Sequence, residues 1–233
     1  MSRHFVPAFA LAALTLALVP VSAHAQDESR TVANGGIHVD GWTGVIDARE
    51  AERGYSLDGA RLAGTADELH VTTGPAVTYW NPANRLTGDY TVSATFREDE
   101  YMSLNNHPHP YGIVIAGNDL GTDGQSLLYC AAYGNGRFIM RGFGPASFQL
   151  NGRGEEHAAI NRAAEVGASV TQQIAVSVRG GRVECAINGT VVGSYDRGDV
   201  VADGRLRSTD GVYGIRFGHN TDAVVTGLSV TRH

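Results

Sequence analysis

The segment His107-Pro108-His109-Pro110-Tyr111 holds two imidazoles close together on a stiff, extended stretch, because each proline restrains itself and the residue before it. Two such histidines can ligate zinc or a similar divalent ion if a carboxylate completes the set, and Asp119 or Asp123 in the following loop is the candidate. A rigid loop whose histidines are merely exposed is the alternative. Glu98-Asp99-Glu100 supplies paired carboxylates of the kind used in glycoside hydrolysis. Adjacent strand residues point to opposite faces, so only Glu98 and Glu100 could share a side. A solvated strand end is the competing reading.

A third group is suited to recognition. If Gly134-Asn135-Gly136 is a three-residue turn, Tyr129 opposes Arg141 and Tyr133 opposes Arg137, all pointing away from the core. Aromatic rings beside planar guanidinium groups offer stacking together with forked hydrogen bonding, a combination that fits sugars. Thr95, Arg97 and Arg216 are expected to face outward too, and His219-Asn220 occupies the turn after the strand carrying Arg216. An ordinary polar sheet face laced with cross-strand pairs would look the same. There is no G-x-S-x-G elbow, H-E-x-x-H helix, phosphate-binding glycine loop ending in lysine, or C-x-x-C pair. The chain contains no lysine at all, which removes Schiff-base and lysine general-base chemistry.

These residues need strands to position them. From Gly41 onward, short runs of period-two alternation are separated by Gly, Asn and Asp, as in antiparallel strands with one buried face. Thr91–Phe96, Ile174–Val178 and Val224–Val230 alternate most clearly. Gly180-Gly181 and Asn188-Gly189 predict two hairpins that share a strand. Their register sets Arg179 against Arg182 and Val192 against Cys185, with Ile174, Val176, Val178, Val183, Cys185 and Ile187 on the buried face. The Gly134 hairpin buries Leu128, Cys130, Ala132, Phe138 and Met140. A one-residue slip would put two arginines in the core, which makes it the costlier register. Only Asp47–Arg53 and Asn161–Val166 read as briefly helical, and neither is long enough to form a layer. The expected class is all-β, built as two stacked antiparallel sheets.

Residues 1–25 read as a secretory signal: Arg3 and His4, an apolar run from Phe5 to Val21, then Ala23-His24-Ala25 for cleavage. The alternative is a membrane anchor, but Pro7 and Pro20 interrupt the run. Residues 26–40 form an N-terminal extension and 41–233 a single sandwich domain. Export to the periplasm or beyond the cell follows, with no membrane segment left after cleavage. The formal net charge of -6, with its arginines dispersed, lacks the basic footprint of a nucleic-acid binder. Cys130 and Cys185 both fall on core faces of a chain bound for an oxidising compartment, so a disulfide is expected, with two separately buried thiols as the alternative.

Several short motifs, in order, resemble a known group. They are Tyr79-Trp80-Asn81-Pro82, Gly88-Asp89-Tyr90-Thr91-Val92, His109-Pro110-Tyr111-Gly112, Gly136-Arg137-Phe138 and Gly211-Val212-Tyr213-Gly214-Ile215-Arg216. The chain is similar to the 3-keto-disaccharide hydrolase-like proteins, placed among the concanavalin A-like lectins and glucanases, from about Gly41 to Val230. The resemblance implies a jelly-roll sandwich and a carbohydrate-related ligand. Enzymatic members carry an Asn-Ser-Gly segment and a Glu-x-Gln strand, where this chain reads Pro110-Tyr111-Gly112-Ile113 and Ser126-Leu127-Leu128-Tyr129-Cys130. No catalytic residue therefore transfers. The leading expectation is an exported carbohydrate-binding domain that contacts its ligand through Tyr129, Tyr133, Arg137, Arg141, Arg216, His219 and Asn220. The alternatives are metal-assisted cleavage of a modified glycoside through His107, His109 and Asp119, and a purely structural envelope protein.

Overall fold

The computed structural model describes Met1, residues 28–152 and residues 154–233. Apart from Met1, the signal expected at 1–25 lies outside the described residues. In chain order the strands are β1 (Gly36–Ile37), β2 (Thr43–Ile46), β3 (Ala60–Gly64), β4 (Glu68–Thr73), β5 (Val77–Leu86), β6 (Tyr90–Glu98), β7 (Tyr111–Asn118) and β8 (Ser126–Tyr133). They continue as β9 (Arg137–Phe143), β10 (Phe148–Gln149), β11 (Glu155–Glu156), β12 (Val170–Arg179), β13 (Arg182–Ile187), β14 (Thr190–Asp196), β15 (Gly211–Phe217) and β16 (Asp222–Arg232). Helix α1 (Ala48–Glu52) forms within the stretch the sequence marked as helical, and α2 (Arg197–Val200) is a further single turn. Asn161–Val166 is irregular rather than helical: Asn161 instead hydrogen-bonds through its backbone and side chain to the buried Gln172 and to Thr171.

The strands build two sheets. One runs β1-β3-β4-β16-β6-β12-β13-β14; the other runs β10-β9-β8-β7-β15-β5-β2, with β11 added to β9. Only the short β1–β3 ladder is parallel among the named pairs. β1 comes from the N-terminal extension, so that stretch packs onto the sandwich. The core lies between the sheets, where Val92, Phe96, Val176 and Val178 of one meet Tyr79, Ile113, Met140 and Phe217 of the other.

The hairpins follow their turn chemistry. Gly180 and Gly181 have φ of 54° and 83°, Asn188 and Gly189 have 51° and 81°, and two positive values are what a two-residue primed turn needs. Arg179 pairs with Arg182 as the alternation requires. On the next strand a bulge between Cys185 and Ala186 sets Gly193, not Val192, opposite Cys185. Cys130 of β8 and Cys185 of β13 form a disulfide that joins one sheet to the other.

Candidate functional site

The outer face of the β7–β8–β9 sheet carries the residues singled out for recognition. Tyr129 pairs with Arg141 and Tyr133 with Arg137, and their core-facing neighbours Leu128, Cys130, Ala132, Phe138 and Met140 are buried. β7 and β8 are covered on both faces: Val114, Leu127, Tyr129, Ala131 and Ile139 form a small second cluster on the outer side. Tyr129 is thus turned away from the main core yet only 4 % exposed. Its ring stacks near that of Phe143, with centroids 6.2 Å apart, and the Arg216 guanidinium sits 4.9 Å from its centroid.

Arg216 is the pin of this layer. It is 7 % exposed and donates to Thr78 Oγ1 at 2.9 Å and to Asp47 Oδ2 at 2.6 Å. Asp47 stands at the N-cap of α1 but makes no side-chain capping bond there; its carboxylate pairs with Arg216 instead. That pair, buried on the Arg216 side and partly exposed at Asp47, anchors the helix to the sheet face and occupies donors of Arg216 that would otherwise be open to a ligand.

Two adjoining grooves open over this face. One, of about 550 Å³, is lined by Tyr133, Arg137, Ile139, Arg141 and Gln149 among others. The second, of about 380 Å³, is lined by Asp47, Glu50, Gln125, Phe143 and His219. Arg141 and Ser147 border both. Arg137 is engaged with Glu156, whose other oxygen takes Arg162 at 2.9 Å. Arg141 differs: its guanidinium lies 5.3 Å from the Phe143 centroid and has no ion pair or side-chain hydrogen bond among the described residues. Burial, with Tyr129 adding to it, pushes the Tyr133 phenol up to about 12, so the hydroxyl stays a neutral donor. Both grooves fall within the size of small-ligand pockets.

Beside the grooves three imidazoles converge. The His107 and His109 rings lie 4.4 Å apart, and His219, from the turn between β15 and β16, comes within 3.7 Å of His109 and 6.0 Å of His107. Burial, reinforced by His219 and His107, pushes His109 down to about 3, so its ring is neutral.

Comparison with protein families finds no match, and comparison with curated proteins finds none. Among solved structures, a protein of unknown function from Bacillus subtilis aligns over 82 % of this chain and 89 % of its own at 13 % identity, with a TM-score of 0.57. It is described as having a galectin-like fold. The fold is a galectin-like jelly-roll sandwich. Carbohydrate binding module CBM66 from Bacillus subtilis (10 % identity, 84 % and 99 % coverage, TM-score 0.46) and sheep galectin-11 (11 %, 63 % and 92 %, 0.40) align more loosely.

On this galectin-like frame the sequence candidates separate. Tyr133, Arg137 and Arg141 line the larger groove, Arg141, Arg216 and His219 border the smaller, and Tyr129 lies beneath them. Asn220 is 4 % exposed and structural: it accepts from Arg30 N and donates to Glu28 O, tying down the N-terminal segment. Asp119 does not join the histidines. It follows the far end of β7, whose eight residues put roughly 25 Å between it and His109, and it faces Arg207 at 3.8 Å. Arg97 and Thr95 point outward from the other sheet, where Arg97 pairs with Asp99. Asp47, Gln125, Ser147 and Gln149 line the grooves without any sequence signal, because a two-residue strand and loop positions carry no periodicity.

Proposed function

We propose that the protein binds carbohydrate along the outer face of the β7–β8–β9 sheet. The observation that carries this reading is Arg141: a guanidinium with no ion pair among the described residues, packed against the Phe143 ring, at the junction of two grooves. A planar fork can donate to two neighbouring hydroxyls or to a carboxylate, while Tyr133, Ile139 and Phe143 give apolar surface for the faces of sugar rings. The fold is one that also holds carbohydrate-binding proteins, in keeping with this ligand class. The resemblance to the 3-keto-disaccharide hydrolase-like group would add a modified glycoside to the candidates. An oxidising location, periplasmic or extracellular, fits both the signal-like leader and the disulfide.

The test is affinity electrophoresis and a glycan array with neutral and acidic oligosaccharides, using the whole protein and Arg141→Ala. Removing one charge-assisted fork should weaken retention by on the order of 10- to 100-fold while leaving the thermal transition in place. Absence of retention on every glycan, or unchanged retention by Arg141→Ala, would overturn the reading.

A further inference from the structure

The three histidines beside the grooves come from two separate chain segments that the fold brings together for reasons of its own. The loop carrying His107 and His109 runs into β7, and Pro110 O accepts from Gly218 N at 2.7 Å, extending the β7–β15 pairing by one step. Gly218 makes that approach possible: a Cβ there would stand 2.8 Å from His109 Cβ and 3.0 Å from Pro110 Cδ. From the other side, Asn105 Nδ2 donates to the carbonyls of His219 and Asn220 at 3.1 and 3.2 Å, clamping the turn that presents His219. Pro108 and Pro110 remove backbone freedom from the first two ligands.

The donor atoms converge accordingly. One ring nitrogen from each of His107, His109 and His219 lies within 4.8 Å of the others. In a tetrahedral site with Zn–N bonds of 2.0–2.1 Å, nitrogens stand about 3.3 Å apart, so modest rotations about the side-chain bonds close the set. His107 Nδ1 is 2.7 Å from Asn106 Oδ1, an acceptor that draws the ring proton to Nδ1 and leaves Nε2 with its lone pair. His109 Nε2 is buried with no hydrogen-bond partner among the described residues, an arrangement that costs free energy unless something accepts that lone pair.

We propose that His107, His109 and His219 form a binding site for a divalent transition-metal ion of the zinc or copper class. All-nitrogen imidazole ligation selects these ions and offers nothing to calcium or magnesium, which demand oxygen. Three protein ligands leave a fourth position for water or a ligand hydroxyl. His219 also lines the smaller groove and Pro108 the larger, which sets the cluster next to both. The assignment stands independently of what the grooves hold.

The experiment uses the whole protein, stripped with a chelator and titrated calorimetrically with zinc, copper(II) and magnesium salts in separate runs. One zinc or copper ion should bind per chain at micromolar or tighter concentration, with no heat from magnesium. His109→Ala and His219→Ala should each weaken binding by on the order of 100-fold. Should either variant fold poorly, imidazole NMR of the unmodified protein decides: zinc should move the resonances of His107, His109 and His219 and leave His38, His70 and His157 in place. No binding by the unmodified protein, shifts confined to other histidines, or full affinity in both variants would overturn the site.

Discussion

At the scale of a residue, Glu98 shows burial moving a carboxyl. It closes β6 on the core-facing side and is 7 % exposed, its Oε1 accepting from Met102 N at 3.2 Å. Desolvation raises its pKa to about 7, the Met102 hydrogen bond opposes the shift, and Asp222 adds to it. The folded form therefore holds its proton more tightly than the unfolded chain, whose carboxyl titrates near 4.5. The stabilisation is fully present below about 4.5 and is lost as pH rises through about 7. Its size is on the order of 3 kcal/mol. Urea unfolding of Glu98→Gln and the unmodified protein at intervals from pH 4.5 to 8 should show the difference in stability growing in the variant's favour across that window; a constant difference would contradict it. The sequence left Glu98 either as one of a pair of carboxylates or at a solvated strand end; it is instead buried on the core-facing side, with Met102 N donating to its carboxylate, because a loop contact of that kind leaves no trace in the alternation. Tyr129 is a similar case: its outward direction was readable from Arg141 opposite, while its burial depends on Phe143 and on Arg216, a residue 87 positions away in a strand it does not pair with.

At the scale of an element, one of the contacts between β10 and β9 needs a glycine. Phe148 lies across from Gly142 of β9, and a Cβ at Gly142 would stand 2.1 Å from Phe148 Cζ. Gly142→Ala should displace the ring from the core and loosen the strand that carries Gln149 along the larger groove. Overpacking of this kind costs about 1–3 kcal/mol, measurable as a lower urea midpoint. The Gly180-Gly181 and Asn188-Gly189 hairpins were legible because primed turns demand particular residues. The bulge at Cys185–Ala186 was not, since nothing local distinguishes an extra residue from a regular pleat until Val192 finds room on the core. Nor was the convergence of His219 with His107 and His109, because their loops are brought together by the β7–β15 pairing and by Asn105, contacts between segments about a hundred residues apart.

At the scale of the whole molecule, the Cys130–Cys185 bridge is a side-chain cross-link between the two layers, closing a loop with a sequence separation of 55. A loop of that length restricts the unfolded chain enough to contribute about 4 kcal/mol. Replacing both cysteines by alanine should lower the stability by about that amount, plus what the lost packing costs, and chemical unfolding with and without reductant should separate the two contributions. Equal stability in the two conditions would show that the bridge does not limit the unfolded ensemble.

The junction at Arg141 also bears on how a partner of any length is counted. If ligands in both hollows draw on that one fork, the hollows are not two independent seats: whatever occupies the first decides how many donors remain for the second. Small fragments would therefore exclude one another across the boundary, whereas a single chain long enough to pass over it would meet the guanidinium once and lie in both hollows together.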